Sequence, residues 1–289
     1  MYLHQAGVGH IARGDTVSEL QADEIAALID HINGLQPDSV TRPVLVYFDI
    51  IGIAWPIRCA LHLKEVDYEL IQISLPQWAY RNDTGEQSLK QCFKNGHVPL
   101  YVDPDVYLNQ SMVIMNHIGE KLGLAGNTPA ERNAVTEICA HAYDSLFHWN
   151  GLLQVVIKIG IPDDIVAARK AAFMGKGHWG IVTNGFVNHL NGFERYLDAN
   201  RTGSGYFVGE TLTMADLHAF NLLCNWYKAF DRERFTAEYP ALEQFIQRIA
   251  AIPAVHDYIE NLQEPTVWFN APQLAIQLTS PEELEGLVD

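Results

Sequence analysis

Residues 43–123 alternate between β-rich apolar runs and helical periods in an order that leaves few ways to fold. PVLVYF at 43–48 is an apolar, β-rich run suited to a buried strand. Pro56 follows where a proline is tolerated, in the first turn of a helix running through Ile57, Ala60, Leu61 and Leu63. DYELIQI at 67–73 reads as a second strand, so a strand-helix-strand unit is complete by residue 73 and its two strands should be parallel with a right-handed crossover. Residues 74–97 are polar and irregular, with at most a short helix near Gln87 to Phe93. VPLYVD and DVYLN then flank Asp103-Pro104-Asp105, a turn signal, and should form an antiparallel hairpin. Ser111 is expected to cap a third helix that ends at Gly123.

Strand-helix-strand followed by hairpin and helix is the thioredoxin-like layout. From Thr128 to about Leu262 strand signals largely vanish, and helical periods cover 130–157, 179–198, 213–230 and 241–262. The fold class is therefore α/β plus all-α, a thioredoxin-like N-terminal domain followed by a helical-bundle C-terminal domain. Its expected divisions are an N-terminal helical extension at 1–40, a thioredoxin-like domain at 41–125, a helical domain at 126–265 and an acidic tail at 266–289. Within the extension, Ile25, Leu28, Ile29 and Ile32 make one apolar helical face over 18–33 that stops at Gly34. In the helical domain Thr213-Met214-Ala215-Asp216 has capping-box spacing, with the hydroxyl and the carboxylate each expected to take an orphan N–H and with Leu212 and Leu217 as the flanking staple.

Bulk properties exclude several functions. A formal charge of −16, from 35 acids against 19 bases, leaves no basic stripe with which to neutralise a nucleic-acid backbone. Cys59, Cys92, Cys139 and Cys224 show no CxxC spacing, so neither a disulfide framework nor a structural zinc site is indicated. His141 and His148 lack a second-ligand pattern, and no metal is expected. With no signal-peptide pattern and no run of about 18 apolar residues, the expected location is the cytoplasm, without membrane contact.

Five segments in order carry a resemblance. They are YFDIIGIAWPIRCALHL at 47–63, GHVPLYVD at 96–103, LNQSMVIMNHIGEKLGL at 108–124, ERNAVTEICAHAYD at 131–144 and TLTMADLHAF at 211–220. Together they resemble the cytosolic glutathione transferases, in particular the tyrosine-type classes such as sigma and alpha, over roughly residues 43–262. The resemblance implies a transferase acting in detoxification, with glutathione as co-substrate, an apolar electrophile as the second substrate and a homodimer as the assembly. A glutathione-dependent isomerase or dehalogenase, and a non-catalytic glutathione-binding protein, are the alternatives.

The chemistry such a protein needs fits particular residues. A thiol with a pKa near ~8.5 is only slightly ionised at neutral pH, and a neutral phenol donating to the sulfur anion raises the ionised fraction. Tyr47, at the carboxyl end of the first strand, is the candidate catalytic residue. Val98, with Pro99 in the cis form the family carries, would pair its backbone with the cysteinyl unit of the peptide. Gln110 and Ser111, at a strand-to-helix junction, suit the γ-glutamyl carboxylate. By the resemblance, Lys90 falls near the glycyl carboxylate, and Asp144 where several classes reach across a dimer interface to the amino group. Cys59 lies inside the helix after Pro56 and reads as a buried structural thiol. Two departures bear on activity: Ile53 stands where tyrosine-type classes often carry an arginine, and Glu86 where sigma-like proteins often carry a tryptophan. Ile50 and Ile51 are expected to make the electrophile side of the cleft apolar.

Overall fold

The computed structural model describes residues 19–80, 88–159, 186–229 and 232–260. Its four-stranded sheet has the order β2-β1-β3-β4, built from β1 (Val44–Phe48), β2 (Glu69–Ile73), β3 (Leu100–Val102) and β4 (Tyr107–Asn109). β1 and β2 are parallel, joined through α2 (Trp55–Leu63). β3 pairs antiparallel with both β1 and β4, and α4 (Ser111–Leu122) follows.

The unbroken apolar reading of β1 has a simple cause, since both faces of the sheet are covered. Leu45 and Tyr101 point into a core shared with α2, α4 and the helical domain. Val44, Val46, Ile71, Ile73, Leu100 and Val102 point the other way, into a second core closed by Ile25, Ile29, Ile32 and Leu35. Those four belong to or directly follow α1 (Glu19–Asn33), whose last turn closes as the Gly34 N–H donates to the Asp30 carbonyl at 3.0 Å. α1 thus covers the outer sheet face.

The segment after β2 is more ordered than its polarity implies. Ser74 caps a one-turn helix, α3 (Leu75–Ala79), by accepting from the Gln77 N–H at 3.3 Å, while the Gln77 side chain takes the Ser74 N–H at 2.8 Å. A 3-10 turn over Leu89–Cys92 matches the short helix read near Gln87 to Phe93. Residues 81–87, and with them Glu86, lie outside the described part.

The helical domain contains α5 (Pro129–Ile159), α6 (Phe186–Ala199), α7 (Met214–Ala229), α8 (Arg232–Glu238), α9 (Pro240–Ala250) and α10 (Pro253–Glu260). The single helix expected over 241–262 is two, because Pro253 has no N–H to continue the ladder and instead opens α10. The opening of the helix expected at 179–198 lies outside the described residues. At the start of α7 the Asp216 carboxylate accepts from the Thr213 N–H at 2.7 Å, as a capping box requires, and also from the Phe207 N–H at 2.8 Å. The Thr213 hydroxyl differs from expectation: it donates to that carboxylate at 2.7 Å. Burial without a cation pushes Asp216 up to about 6 despite these donors.

The two domains meet along α2. Trp55 packs on Phe220 of α7 and Tyr258 of α10, with ring centroids 5.6 and 5.8 Å apart, and His62 reaches Asp257 at 2.9 Å. No helix among the described residues is long and apolar enough to cross a membrane.

Candidate active site

Strand register gathers three of the candidates into a row. Val46 pairs with Leu100, and Leu100 with Asn109. One step further along, Tyr47 of β1, Pro99 before β3 and Gln110 after β4 lie across the same end of the sheet, with Ser111 opening α4 beside them.

Tyr47 is 5 % exposed at the end of β1, and its phenol oxygen accepts the Ile53 N–H at 3.1 Å. A phenol oxygen so engaged still carries its own proton to donate. Burial pushes the Tyr47 pKa up to about 12, against which the Ile53 N–H and the nearby Arg58 charge act. The group is therefore a neutral hydrogen-bond donor at physiological pH.

The turn that supplies the Ile53 N–H is tightly specified. Gly52 has φ 44°, and a Cβ there would lie 3.0 Å from two Tyr47 ring carbons and closer still to the phenol oxygen. Only glycine combines that backbone angle with that approach. Arg58 of α2 is fully buried and donates to the Ile50 and Ile51 carbonyls, each at 3.0 Å. Ile50 and Ile51 are 5 % and 0 % exposed and pack into the two cores, so they do not line an open cleft as the sequence reading had it.

The Val98–Pro99 peptide bond is cis. Among the described residues the Val98 N–H and C=O have no hydrogen-bond partner, while the Pro99 carbonyl accepts from the Asn109 amide at 3.3 Å. Val98 is thus a bend just before β3 whose backbone groups are engaged by none of the described residues.

Gln110 occupies the N-cap of α4 with φ 81° and ψ 115° and an exposed side chain that makes no cap bond. A non-glycine residue at such an angle carries strain of roughly 1–3 kcal/mol, which surrounding structure must hold in place. Ser111 is the first helical residue and is 2 % exposed, so it opens α4 without being its cap. The expectation that Ser111 caps this helix is corrected accordingly. The first backbone N–H groups of α4 remain directed at the sheet end.

Lys90 is exposed, with its ammonium 5.5 Å from the Trp78 ring centre. Trp78 in turn meets Phe48, next to Tyr47, edge-on at 5.2 Å, and Phe93 at 5.7 Å. Trp78 belongs to α3, the helix that Ser74 caps.

Asp144 lies exposed on α5, and no contact within the chain joins it to Tyr47, Val98 or Gln110. Cys59 is wholly buried, and burial raises its thiol far above the ordinary value, which removes it as a nucleophile. His141 packs edge-on against Phe193 at 4.7 Å and meets the His189 carbonyl at 3.2 Å, a packing role. The His148 side chain lies outside the described part, and no metal-binding group of three occurs among the described residues.

Comparison with known proteins places these features in a family. Residues 43–120 match the glutathione S-transferase N-terminal domain, and residues 180–262 the glutathione S-transferase C-terminal domain. The class-mu 26 kDa glutathione S-transferase isozyme of Schistosoma japonicum is 33 % identical over 223 residues, covering 76 % of this chain and 88 % of that protein. Glutathione S-transferase P 1 of Xenopus laevis is 25 % identical over 219 residues, covering 75 % and 92 %. Among solved structures, the monomeric glutathione S-transferase Na-GST-3 of Necator americanus superposes with a TM-score of 0.63 at 23 % identity, covering 78 % of this chain and 98 % of that one. On these grounds, the chain belongs to the glutathione S-transferase family.

Proposed function

We propose that this protein conjugates the thiolate of glutathione to an apolar electrophile, with Tyr47 as the catalytic residue. The observation that carries the reading is the Tyr47 phenol oxygen, which accepts the Ile53 N–H at 3.1 Å and so keeps its own proton for a sulfur anion. Val98 would pair with the cysteinyl backbone through its free N–H and C=O. Gln110 and the N-terminus of α4 at Ser111 would receive the γ-glutamyl carboxylate. Lys90, beside Trp78, would receive the glycyl carboxylate, and Asp144 would reach the amino group of glutathione bound by a second copy in a homodimer. No metal is required.

In this scheme the thiol proton leaves to solvent on binding, because the phenol O–H bond stabilises the anion left behind. The sulfur electron pair then forms the new bond to the electrophilic carbon, and with chlorodinitrobenzene the carbon–chlorine bond breaks and chloride leaves with its electron pair. A hydrogen bond to a charged partner is worth roughly 1.5–3 kcal/mol, and each 1.36 kcal/mol is about tenfold in rate. Tyr47→Phe should therefore lower kcat for chlorodinitrobenzene conjugation about ten- to hundredfold while leaving KM for glutathione within about threefold. Steady-state kinetics check this, and an unchanged kcat removes Tyr47 from the chemistry.

A further inference from the structure

We propose that Asn221, in the helical domain, is a positioning residue for Tyr47: it holds the turn whose backbone N–H orients and polarises the phenol. The inference rests on the reading of Tyr47 as the thiol-activating group.

The connection is built from consecutive carbonyls. Between β1 and α2 the chain runs Ile50-Ile51-Gly52-Ile53, and each of the first three carbonyls is held from inside the protein. Arg58 takes the Ile50 and Ile51 carbonyls at 3.0 Å each. Asn221 takes the Gly52 carbonyl, donating from its side-chain nitrogen at 3.2 Å across 169 residues of sequence. With the Gly52 carbonyl fixed, the orientation of its peptide plane is fixed, and the N–H on the other side of that plane is that of Ile53. That N–H is the one the Tyr47 oxygen accepts.

Two features make the arrangement more than a passing contact. Asn221 is 1 % exposed, and its amide is a second donor to the Gly52 carbonyl, which also accepts the Trp55 backbone N–H closing the 3-10 turn, so the amide adds a side-chain hold to a backbone one. Its neighbour Phe220 packs on Trp55, which directly follows the turn, so the same helical step fixes both the side-chain packing and the polar anchor. Arg58 belongs to the domain that carries Tyr47, whereas Asn221 comes from the other one. Domain docking thereby reaches the reacting atom through one amide and one peptide plane.

The chemical consequence follows from hydrogen-bond polarisation. A phenol whose oxygen receives an N–H is a better O–H donor than one whose oxygen receives none. If the Gly52–Ile53 peptide rotates, the phenol loses both its orientation and this polarisation, and a bound thiolate is less stabilised. Glutathione affinity, set elsewhere at the sheet end, should change little.

The test is ultraviolet titration of the thiolate of glutathione bound to wild type, Tyr47→Phe, Asn221→Ala and Asn221→Leu, beside KM and kcat for glutathione with chlorodinitrobenzene. The leucine keeps the approximate size and branching of Asn221 and has no donor at any pH, so it decides the matter if the alanine variant fails to fold. Both Asn221 variants are expected to raise the bound-thiol pKa by about half to one unit and to lower kcat severalfold at neutral pH, with KM for glutathione within about twofold. A folded Asn221 variant with the wild-type thiol pKa overturns the inference, because a purely structural defect would reduce the active fraction without moving that value. If Tyr47→Phe itself leaves the thiol pKa unchanged, the reading of Tyr47 falls and the role of Asn221 falls with it.

Discussion

Gly52 and the two buried aspartates show how much single residues decide. At Gly52 a side chain meets two obstacles: φ 44° and the Tyr47 ring 3.0 Å from any Cβ. Left-handed backbone costs a non-glycine residue roughly 1–2 kcal/mol, which a folded protein can absorb, but displacement of the phenol by even about 1 Å can cost about hundredfold in rate. Gly52→Ala should thus lose kcat far more than thermal stability, measured by kinetics beside a melting curve. Asp103 and Asp216 are both fully buried, with opposite electrostatics. Lys121 at 2.8 Å and His117 at 3.1 Å hold Asp103 well below the usual carboxylate range, so its contribution to stability is present above that range and lost as pH falls through it. Asp216 has no such cation, and folding raises its carboxyl from 3.8 to about 6. Its contribution is complete below the lower value and is lost as pH rises through the upper one. Asp216→Asn should flatten the stability profile between about pH 4 and 6, read from urea midpoints, while leaving the acid limb set by Asp103. Tyr47 was legible in the sequence because its chemistry is in its side chain. The Ile53 contribution was not, because a backbone N–H has no letter of its own and residue 53 was judged by the side chain it lacks.

At the scale of elements, local pattern and tertiary support agree in β1, α2, the hairpin and α4. Three of them have a boundary written in residue type: Pro56 inside α2, Asp103-Pro104 in the turn, and Gly123 in the left-handed conformation, φ 71°, closing α4. Asp103 accepts the Asp105 and Val106 N–H groups at 2.8 and 3.0 Å, the side-chain-to-backbone bonding that makes aspartate a turn residue. The elements that escaped were short ones. α3 was hidden because five residues give too little period to see, although its Ser74–Gln77 box was present. The break between α9 and α10 was hidden because apolar spacing runs through Ile249, Ile252 and Val255 and overrides the proline to the eye. α1 was legible as an amphipathic helix, but not its position, since nothing local says which face of which sheet it covers. The structure sets it on the outer face, where the Cys92 thiol lies 3.9 Å from the Ile29 carbonyl. The segment it braces carries Lys90. Ile29→Ala should cost about 2–4 kcal/mol in urea unfolding, as truncation of a buried aliphatic side chain does, and should raise KM for glutathione more than it lowers kcat.

Across the whole molecule, one acidic chain of net charge −16 assembles a site for a peptide that is itself anionic. In the proposed site the devices are local: the start of α4, an exposed Lys90 and a buried Arg58. The thioredoxin-like half would supply the phenol and the peptide-binding backbone. The helical half meets that sheet end through Phe220, Asn221 and Tyr258 around α2. The order of strands and helices was enough to read both halves, because secondary-structure period is local. The seam between them was not readable, because contacts such as Asn221 to Gly52 join residues 169 positions apart with no shared pattern. Activity here depends on whether the phenol at the end of β1 stabilises a sulfur anion. Thiolate absorbance of glutathione bound to the wild-type protein, titrated beside Tyr47→Phe, measures this directly. A bound-thiol pKa about one to two units below that of free glutathione, restored in the variant, is the predicted result. Binding with an unshifted pKa in the wild type, or a lowered pKa that survives Tyr47→Phe, would contradict it.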